Sequence, residues 1–409
     1  MKILFVSNLF PPNVVGGYER LACNVADALA ERGHEVEVLT SNYGSKTPDK
    51  ERYKVHRLLS LSADRTNIYA PANKSADELR QENIDNLKHA DSVVQDFKPD
   101  VIFVWNLYFL DATLFKQLES YGIPTVMFLT DNWLIASQTP DRIHQFFERF
   151  VRGGELFEGD IDLTNDGPRH ATKSAAMFGA NFVRNLYTSC GYDFATSWTV
   201  HNGVQTGSAL EASLNKRKAM RPDRLRLLFA GRIVDLKAPD ICVRALKPIR
   251  ARIGNDVELS LTIVGDGQDA NYRKLLDDCI KEDISGATIT LRDPVPESEL
   301  QALWDEHDIY LFPSTYEPFA LTLILALAGG IPTVASRAGG NGEIIHHEGT
   351  GLLFDTGNAD DLADQVARLF KDGDLSASIS ERGQRHARKF SFARMIDQID
   401  MRLKEYAGV

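Results

Sequence analysis

KILFVSNLFPPNVVGGYERLACNVADALAERGHEVEVLT, running from Lys2 to Thr40, is the stretch from which the fold can be read. Its first part, ILFVS (Ile3 to Ser7), is a short apolar run of the kind a strand buried on both faces requires. From Tyr18 to Arg32 the apolar residues Leu21, Val25, Ala28 and Leu29 recur at helical spacing. Gly33 follows where a left-handed residue would end that helix. VEVLT (Val36 to Thr40) is the next strand, and VIFVW (Val101 to Trp105) and TVMFLT (Thr125 to Thr130) have the same character. Buried apolar strands alternating with helices predict an α/β fold, a parallel sheet covered on both faces.

The pattern then begins again. A polar stretch poor in strand signals, QTGSALEASLNKRKAMRPDR from Gln205, precedes RLLFAGR, and LSLTIVGDG, ATITLRDPV, IYLFPS and PTVAS are further strands with helices between them. Two successive doubly wound units are therefore expected, Rossmann-like, over residues 1–205 and 206–390. The closing segment SFARMIDQIDMRLKEY reads as one amphipathic helix within 391–409. Residues 138–172, rich in charge and glycine, read as an irregular insertion or lid in the first domain. Open sheets of this kind place ligand loops at the carboxyl ends of their strands. Two such domains facing one another would put the active site in the cleft between them.

The totals narrow the function. At 409 residues the chain is long enough for two ordinary cores, and its net charge of −11 argues against a nucleic-acid binder. Cys23, Cys190, Cys242 and Cys279 are scattered, with no C-x-x-C pair, which suits neither a disulfide framework nor a zinc site and suggests a reducing, cytoplasmic setting. The apolar run in MKILFVSNLFPPN is too short for a signal peptide, and no stretch of about 18 apolar residues would span a membrane. Peripheral membrane contact and the oligomeric state stay open.

Three motifs carry chemistry. Gly16-Gly17-Tyr18-Glu19 stands between the first strand and its helix. Glycine lets backbone approach a ligand, and a helix N-terminus offers N–H groups to an anion; an ordinary turn would use the same residues. AGRIVDLKAPD places Arg232 and Lys237 just after a strand, where two cations suit a diphosphate or simply form a solvated loop. FPSTYEPFALTLILALAGG places Glu317 and Pro318 before a helix, so that backbone N–H groups from Phe319 through Ala320 to Leu321 meet a ligand. Glu317 is there either to accept hydrogen bonds from sugar hydroxyls or to cap the helix. No G-x-G-x-x-G, no G-x-S-x-G and no His, Cys and carboxylate group with metal spacing accompanies them. His34, His346 and His347 read as surface or turn residues.

Taken in order, GGYE, RGHEVEVLT, HNGV, GRIVDLK, VGDG, FPSTYEPFAL and AGGNGEIIHHEGTGLLF resemble the retaining glycosyltransferases of family 4, with the GT-B fold, along nearly the whole chain. The resemblance implies a metal-independent enzyme without a cofactor, taking a sugar from a nucleotide-diphosphate donor. Arg232 and Lys237 would hold the diphosphate in place of a metal, and Glu317 would position the donor sugar. Pro318, Phe319, Ala320 and Leu321 would meet its hydroxyls or phosphate. Gly265, Pro294 and Val295 would border the base, and Gly16 and Gly17 would approach the phosphate from the first domain. The last helix would cross back onto that domain.

Two positions depart from the family pattern. Leu325 stands where a second glutamate usually grips the donor ribose, and Thr130 precedes Asp131 where a histidine is common. Ala320 replaces a frequent glycine. Asp131 is the candidate on the acceptor side, for a saccharide, glycoside or lipid-linked acceptor. The departures keep an alternative in view, a noncatalytic or weakly active relative that binds nucleotide sugar or supports a partner transferase.

Overall fold

The computed structural model of the chain describes residues 1–44, 50–65, 67, 68, 70–157, 159, 161–205, 219–267 and 269–409. They form two compact units, Met1–His201 with Met395–Val409, and Asn202–Arg394. The divisions fall at His201/Asn202 and Arg394/Met395 rather than at 205/206 and 390/391, and residues 206–218 of the polar connector lie outside the described residues. Backbone pairing accounts for the difference. Val204 N–H donates to the Phe390 carbonyl at 2.9 Å, and Phe392 N–H donates to the Val204 carbonyl at 3.0 Å. Both crossing segments are thereby bound into the second unit.

The first unit is a seven-stranded sheet in the order β3-β2-β1-β4-β5-β6-β7. Its strands are β1 (Lys2–Ser7), β2 (Glu35–Ser41), β3 (Lys54–Leu59), β4 (Val101–Asn106), β5 (Thr125–Leu129), β6 (His170–Phe178) and β7 (Tyr192–Thr199). Every pairing is parallel. β1, β4 and β5 are buried almost throughout, which is why they read as apolar runs. The helix Gly17–Glu31 follows β1 and buries Leu21, Ala22, Val25, Ala26 and Leu29, one stripe of its surface.

The second unit is a six-stranded parallel sheet in the order β10-β9-β8-β11-β12-β13. Its strands are β8 (Arg224–Ala230), β9 (Glu258–Val264), β10 (Thr288–Arg292), β11 (Ile309–Phe312), β12 (Thr333–Ser336) and β13 (Leu352–Phe354). Its core joins Leu227, Phe229, Leu261, Ile263, Leu311 and Val334 to helix residues such as Leu246 and Val366. In both sheets the strand order reverses once, between β1 and β4 and between β8 and β11. Loops leaving the carboxyl ends of such a pair diverge to opposite faces and open a crevice.

Two expectations need correction. His34 is buried, not a surface residue, and its Nε2 lies 2.9 Å from the Asp400 carboxylate. Asp400 belongs to the helix Phe392–Ala407, and Arg32 reaches both Asp397 (2.5 Å) and Asp400 (3.5 Å) of that helix. Burial lowers the His34 pKa, and the Asp400 charge opposes that shift. Among the described residues of 138–172 the irregular reading holds only for 153–169, which carry no helix or strand; 140–152 are helical and His170 begins β6. The helix Pro140–Phe146 runs into a π-helical turn, Phe147–Arg152. Phe146, Phe150 and Phe157 form an aromatic cluster with centroids 5.1–5.3 Å apart. Buried Arg142 donates to the carbonyls of Cys190 (2.6 Å) and Pro168 (2.8 Å), so its guanidinium staples the segment instead of facing solvent. Among the described residues no helix is long and apolar enough to cross a membrane.

Candidate functional site

The reversal between β8 and β11 assembles a cation, a carboxylate and a helix N-terminus. β8 ends at Ala230 and leads through Arg232 into a short turn, Asp235–Lys237, before the helix Pro239–Ile253. β11 ends at Phe312 and leads through Glu317 to the helix Leu321–Ala328. The two loops are tied directly, Thr315 N–H donating to the Leu236 carbonyl at 3.0 Å. Lys237 Nζ then forms an ion pair with Glu317 Oε2 and sits 5.7 Å from the Phe312 ring centroid. Glu317 is 7% exposed. Arg232 is exposed, so the structure joins Lys237 to Glu317 and leaves Arg232 outside that pair.

Glu317 is held from behind by the segment after β12. Gly340 N–H donates to the Glu317 carbonyl at 2.8 Å. Gly339 has φ +54°, and a Cβ there would run into that same carbonyl oxygen and lie 2.9 Å from its carbon. Glycine is required on both counts, since other residues resist the left-handed region and none leaves this space. Ser336 Oγ donates to the Ser314 carbonyl at 2.5 Å, and buried Asn341 Nδ2 donates to the Ser336 carbonyl at 3.1 Å. The AGGNGE turn is thus the backing of the Glu317 loop, a role its sequence alone does not disclose.

The helix Leu321–Ala328 starts one residue after Ala320, whose side chain offers no cap. Its first N–H groups are therefore available to a ligand in the crevice. Leu323, Ile324, Ala326 and Leu327 face the core, while Leu325 is half-buried on the same side as exposed Thr322. Leu325 accordingly does not point wholly into the interior. Gly265, at φ +150°, ends β9 against β8: a Cβ would overlap the Gly231 carbonyl oxygen. Pro294 and Val295 follow β10, one strand further out, where Gly265 N–H reaches the Arg292 carbonyl at 3.0 Å.

In the first unit Gly16 and Gly17 are exposed at the start of their helix. Glu19 is a cap, its Oε2 accepting from Gly16 N–H at 2.9 Å and lying 3.4 Å from Val15 N. Tyr18 was not singled out by the motif, yet its hydroxyl lies 2.7 Å from the Trp105 carbonyl and 2.5 Å from the Phe128 carbonyl. One side chain so latches the glycine loop to the ends of β4 and β5. Arg57 is a second omission: from β3 it donates to the carbonyls of Phe10 (3.2 Å) and Pro11 (2.6 Å) and to Glu51 (2.8 Å). Asp131, just past β5, accepts from Trp133 N–H at 2.9 Å. Burial pushes its carboxyl up to about 6, with the Glu19 charge adding to the rise and the Trp133 hydrogen bond opposing it. Burial likewise pushes the Cys23 thiol up to about 11 and the Cys190 thiol to about 12, which leaves neither nucleophilic.

Two family descriptions match the chain: Glycosyltransferase Family 4 over residues 15–157, and Glycosyl transferases group 1 over residues 212–386. A D-inositol 3-phosphate glycosyltransferase of Pseudarthrobacter chlorophenolicus is 29% identical over 380 residues, which is 87% of this chain and 82% of that protein. A glycosyltransferase of Rickettsia africae superposes with a TM-score of 0.70 at 19% identity, covering 99% of this chain and 98% of its own. HepE of Anabaena, solved in complex with UDP and glucose, superposes with a TM-score of 0.64 at 18% identity, over 99% and 100% of the two chains.

Proposed function

Because this chain belongs to the group 1 glycosyltransferases of family 4, with the GT-B fold, we propose that it transfers a sugar from a nucleoside-diphosphate donor to an acceptor hydroxyl, with retention and without a metal ion. The observation that carries this reading is the Lys237–Glu317 pair at the strand-order reversal of the second sheet, beside the uncapped start of the helix Leu321–Ala328.

In the reaction, the bond from the sugar's anomeric carbon to the diphosphate oxygen breaks with its electron pair leaving on the phosphate. Lys237 and Arg232 offset that growing charge, and the helix N–H groups add to it; preorganised groups of this kind contribute several kcal/mol. Glu317 accepts hydrogen bonds from the donor's hydroxyls, and before the donor arrives Lys237 neutralises it. The acceptor hydroxyl oxygen bonds to the anomeric carbon from the face the diphosphate leaves. Its proton passes to a diphosphate oxygen, so no protein nucleophile is needed. Gly265, Pro294 and Val295 border the base.

UDP-glucose is the first donor to try, since HepE of Anabaena was solved with UDP and glucose. The purified chain is incubated with it and with other nucleoside-diphosphate sugars in EDTA, and nucleoside-diphosphate release and the anomer of the product are followed by NMR. Turnover in EDTA with the donor's anomeric configuration kept is expected. Inversion, or activity restored only by magnesium or manganese, refutes the proposal.

A further inference from the structure

A recess of about 350 Å³ lies in the first unit at the amino end of β5, lined among others by Ile123, Pro124, Glu119, Lys173, Ser174 and Tyr406. We infer that it binds a small molecule carrying a primary ammonium group, with Glu119 as the counter-ion. Asp131 follows the opposite end of β5, roughly 13 Å away at about 3.3 Å per residue, so this site stands apart from the transferase reading.

An irregularity in β6 makes the recess. β6 starts at His170, yet β5 pairs with it only from Ala175 onward, and its register with β7 slips between Thr172 and Ala175. Such a slip leaves backbone groups without ladder partners. Two side chains from outside the sheet take them up. Tyr406, on the helix Phe392–Ala407, donates its hydroxyl to the Lys173 carbonyl at 2.9 Å. Glu119, near the end of the helix Ala112–Ser120, accepts from Ser174 N–H at 3.2 Å. The Ser174 hydroxyl donates to the same carboxylate at 2.7 Å, and the Thr172 hydroxyl donates to it as well.

All three donors converge on Glu119 Oε1. Among the described residues nothing donates to Oε2, and that oxygen is not sealed from solvent. Closing the slip in β6 uses one oxygen of the carboxylate and leaves the other as an acceptor already fixed in direction. A cationic N–H donor is its strongest complement, because charge-assisted hydrogen bonds are about twice as strong as neutral ones. The chain does not supply that cation: Lys173 is exposed and forms no ion pair among the described residues. Burial raises the Tyr406 hydroxyl pKa and the Glu119 charge adds to the rise, so the two groups face one space. Tyr406, Ile123 and Pro124 give that space apolar walls, and a tyrosine ring itself favours a cation. An anion would meet the Glu119 charge, and the net charge of −11 draws cations toward the chain. Ligand pockets span about 300–1,000 Å³, so a recess at the lower end fits a molecule of amino-acid size.

Saturation-transfer NMR and calorimetry on the full chain test this with three probes that share one apolar group: isoamylamine, leucine and 4-methylpentanoate. At least one of the two ammonium probes should bind at millimolar concentration, at least tenfold more tightly than 4-methylpentanoate. Isoamylamine bound as well as leucine identifies a simple amine as the ligand. Leucine bound alone identifies an amino acid whose carboxylate meets Lys173, and Lys173→Ala should then weaken it. Glu119→Gln keeps an oxygen for the Thr172 and Ser174 donors but puts an amide nitrogen in place of Oε2. It should weaken the bound probe at least tenfold. If that variant melts early, Ile123→Trp, which fills the recess from its apolar side, should abolish binding instead. No binding by either ammonium probe, 4-methylpentanoate bound as tightly, or binding undiminished in the folded Glu119→Gln or Ile123→Trp variant overturns the assignment.

Discussion

Replacing Lys237 by alanine removes the partner of a carboxylate that is 7% exposed, and this sets a stability cost apart from any catalytic one. Breaking a buried ion pair by deleting one member costs about 3–5 kcal/mol, because the remaining charge is stranded. The Lys237 side chain keeps 20% of its surface and Glu317 keeps 10%, so water softens the penalty to about 2–3 kcal/mol. For a unit of this size that lowers the midpoint by roughly 4–12 °C, at about 2–4 °C per kcal/mol. Lys237→Ala combined with Glu317→Gln has no charge to strand and should recover most of the loss. Its transfer rate should still be depressed by about 10²–10³-fold, the usual cost of deleting a group that stabilises developing charge. Thermal denaturation followed by circular dichroism, beside donor turnover, separates the two effects. A single variant that melts with the wild type, or a double variant as unstable as the single, refutes the reasoning.

The remaining predictions concern the same crevices. The folded protein holds the Asp131 proton more tightly than the unfolded chain, its carboxyl standing at about 6 against an ordinary value near 3.9. This contribution is therefore full below about pH 4 and lost as pH rises through 6, so Asp131→Asn should be the more stable protein at pH 8, by at most about 3 kcal/mol, with the gap closing toward pH 4. Urea unfolding at both pH values checks it, and an equal gap at each counts against it. Gly339→Ala forces alanine to φ +54°, a cost of about 1–2 kcal/mol, and drives a methyl into the Glu317 carbonyl. Calorimetry should then show UDP-glucose affinity at least tenfold weaker, and wild-type affinity would mean that Glu317 does not meet the donor. Leu325→Glu offers a ribose diol two charge-assisted hydrogen bonds, each class worth about 1.5–3 kcal/mol, and should tighten UDP-glucose by about tenfold or more. A folded variant that binds no tighter would place Leu325 away from the ribose.

What the sequence by itself determined is what local chemistry writes into consecutive residues. Apolar runs such as Ile3–Val6 and Ile102–Trp105 announce strands buried on both faces, and the stripe from Leu21 to Leu29 announces the helix between β1 and β2. The order of the glycine, Arg-Lys and Glu-Pro motifs placed their loops after β1, β8 and β11, because a turn signal next to a strand signal needs no distant partner. Strands such as β3 (KVHRLL) and β7 (YDFATSWT) were not legible, since they lie at the edges of the sheet and their half-exposed faces carry no apolar run. Only the tertiary structure decided which distant groups meet: His34 with Asp400, Tyr18 with the carbonyls of β4 and β5, Arg57 with the loop after β1, and Gly339 behind Glu317. It also resolved the two cations of one motif, turning Lys237 onto Glu317 and leaving Arg232 in solvent. Those pairings depend on the direction in which each loop leaves its strand. That direction is set by packing across the sheet, where residues far apart in the chain exclude or admit one another by volume and charge.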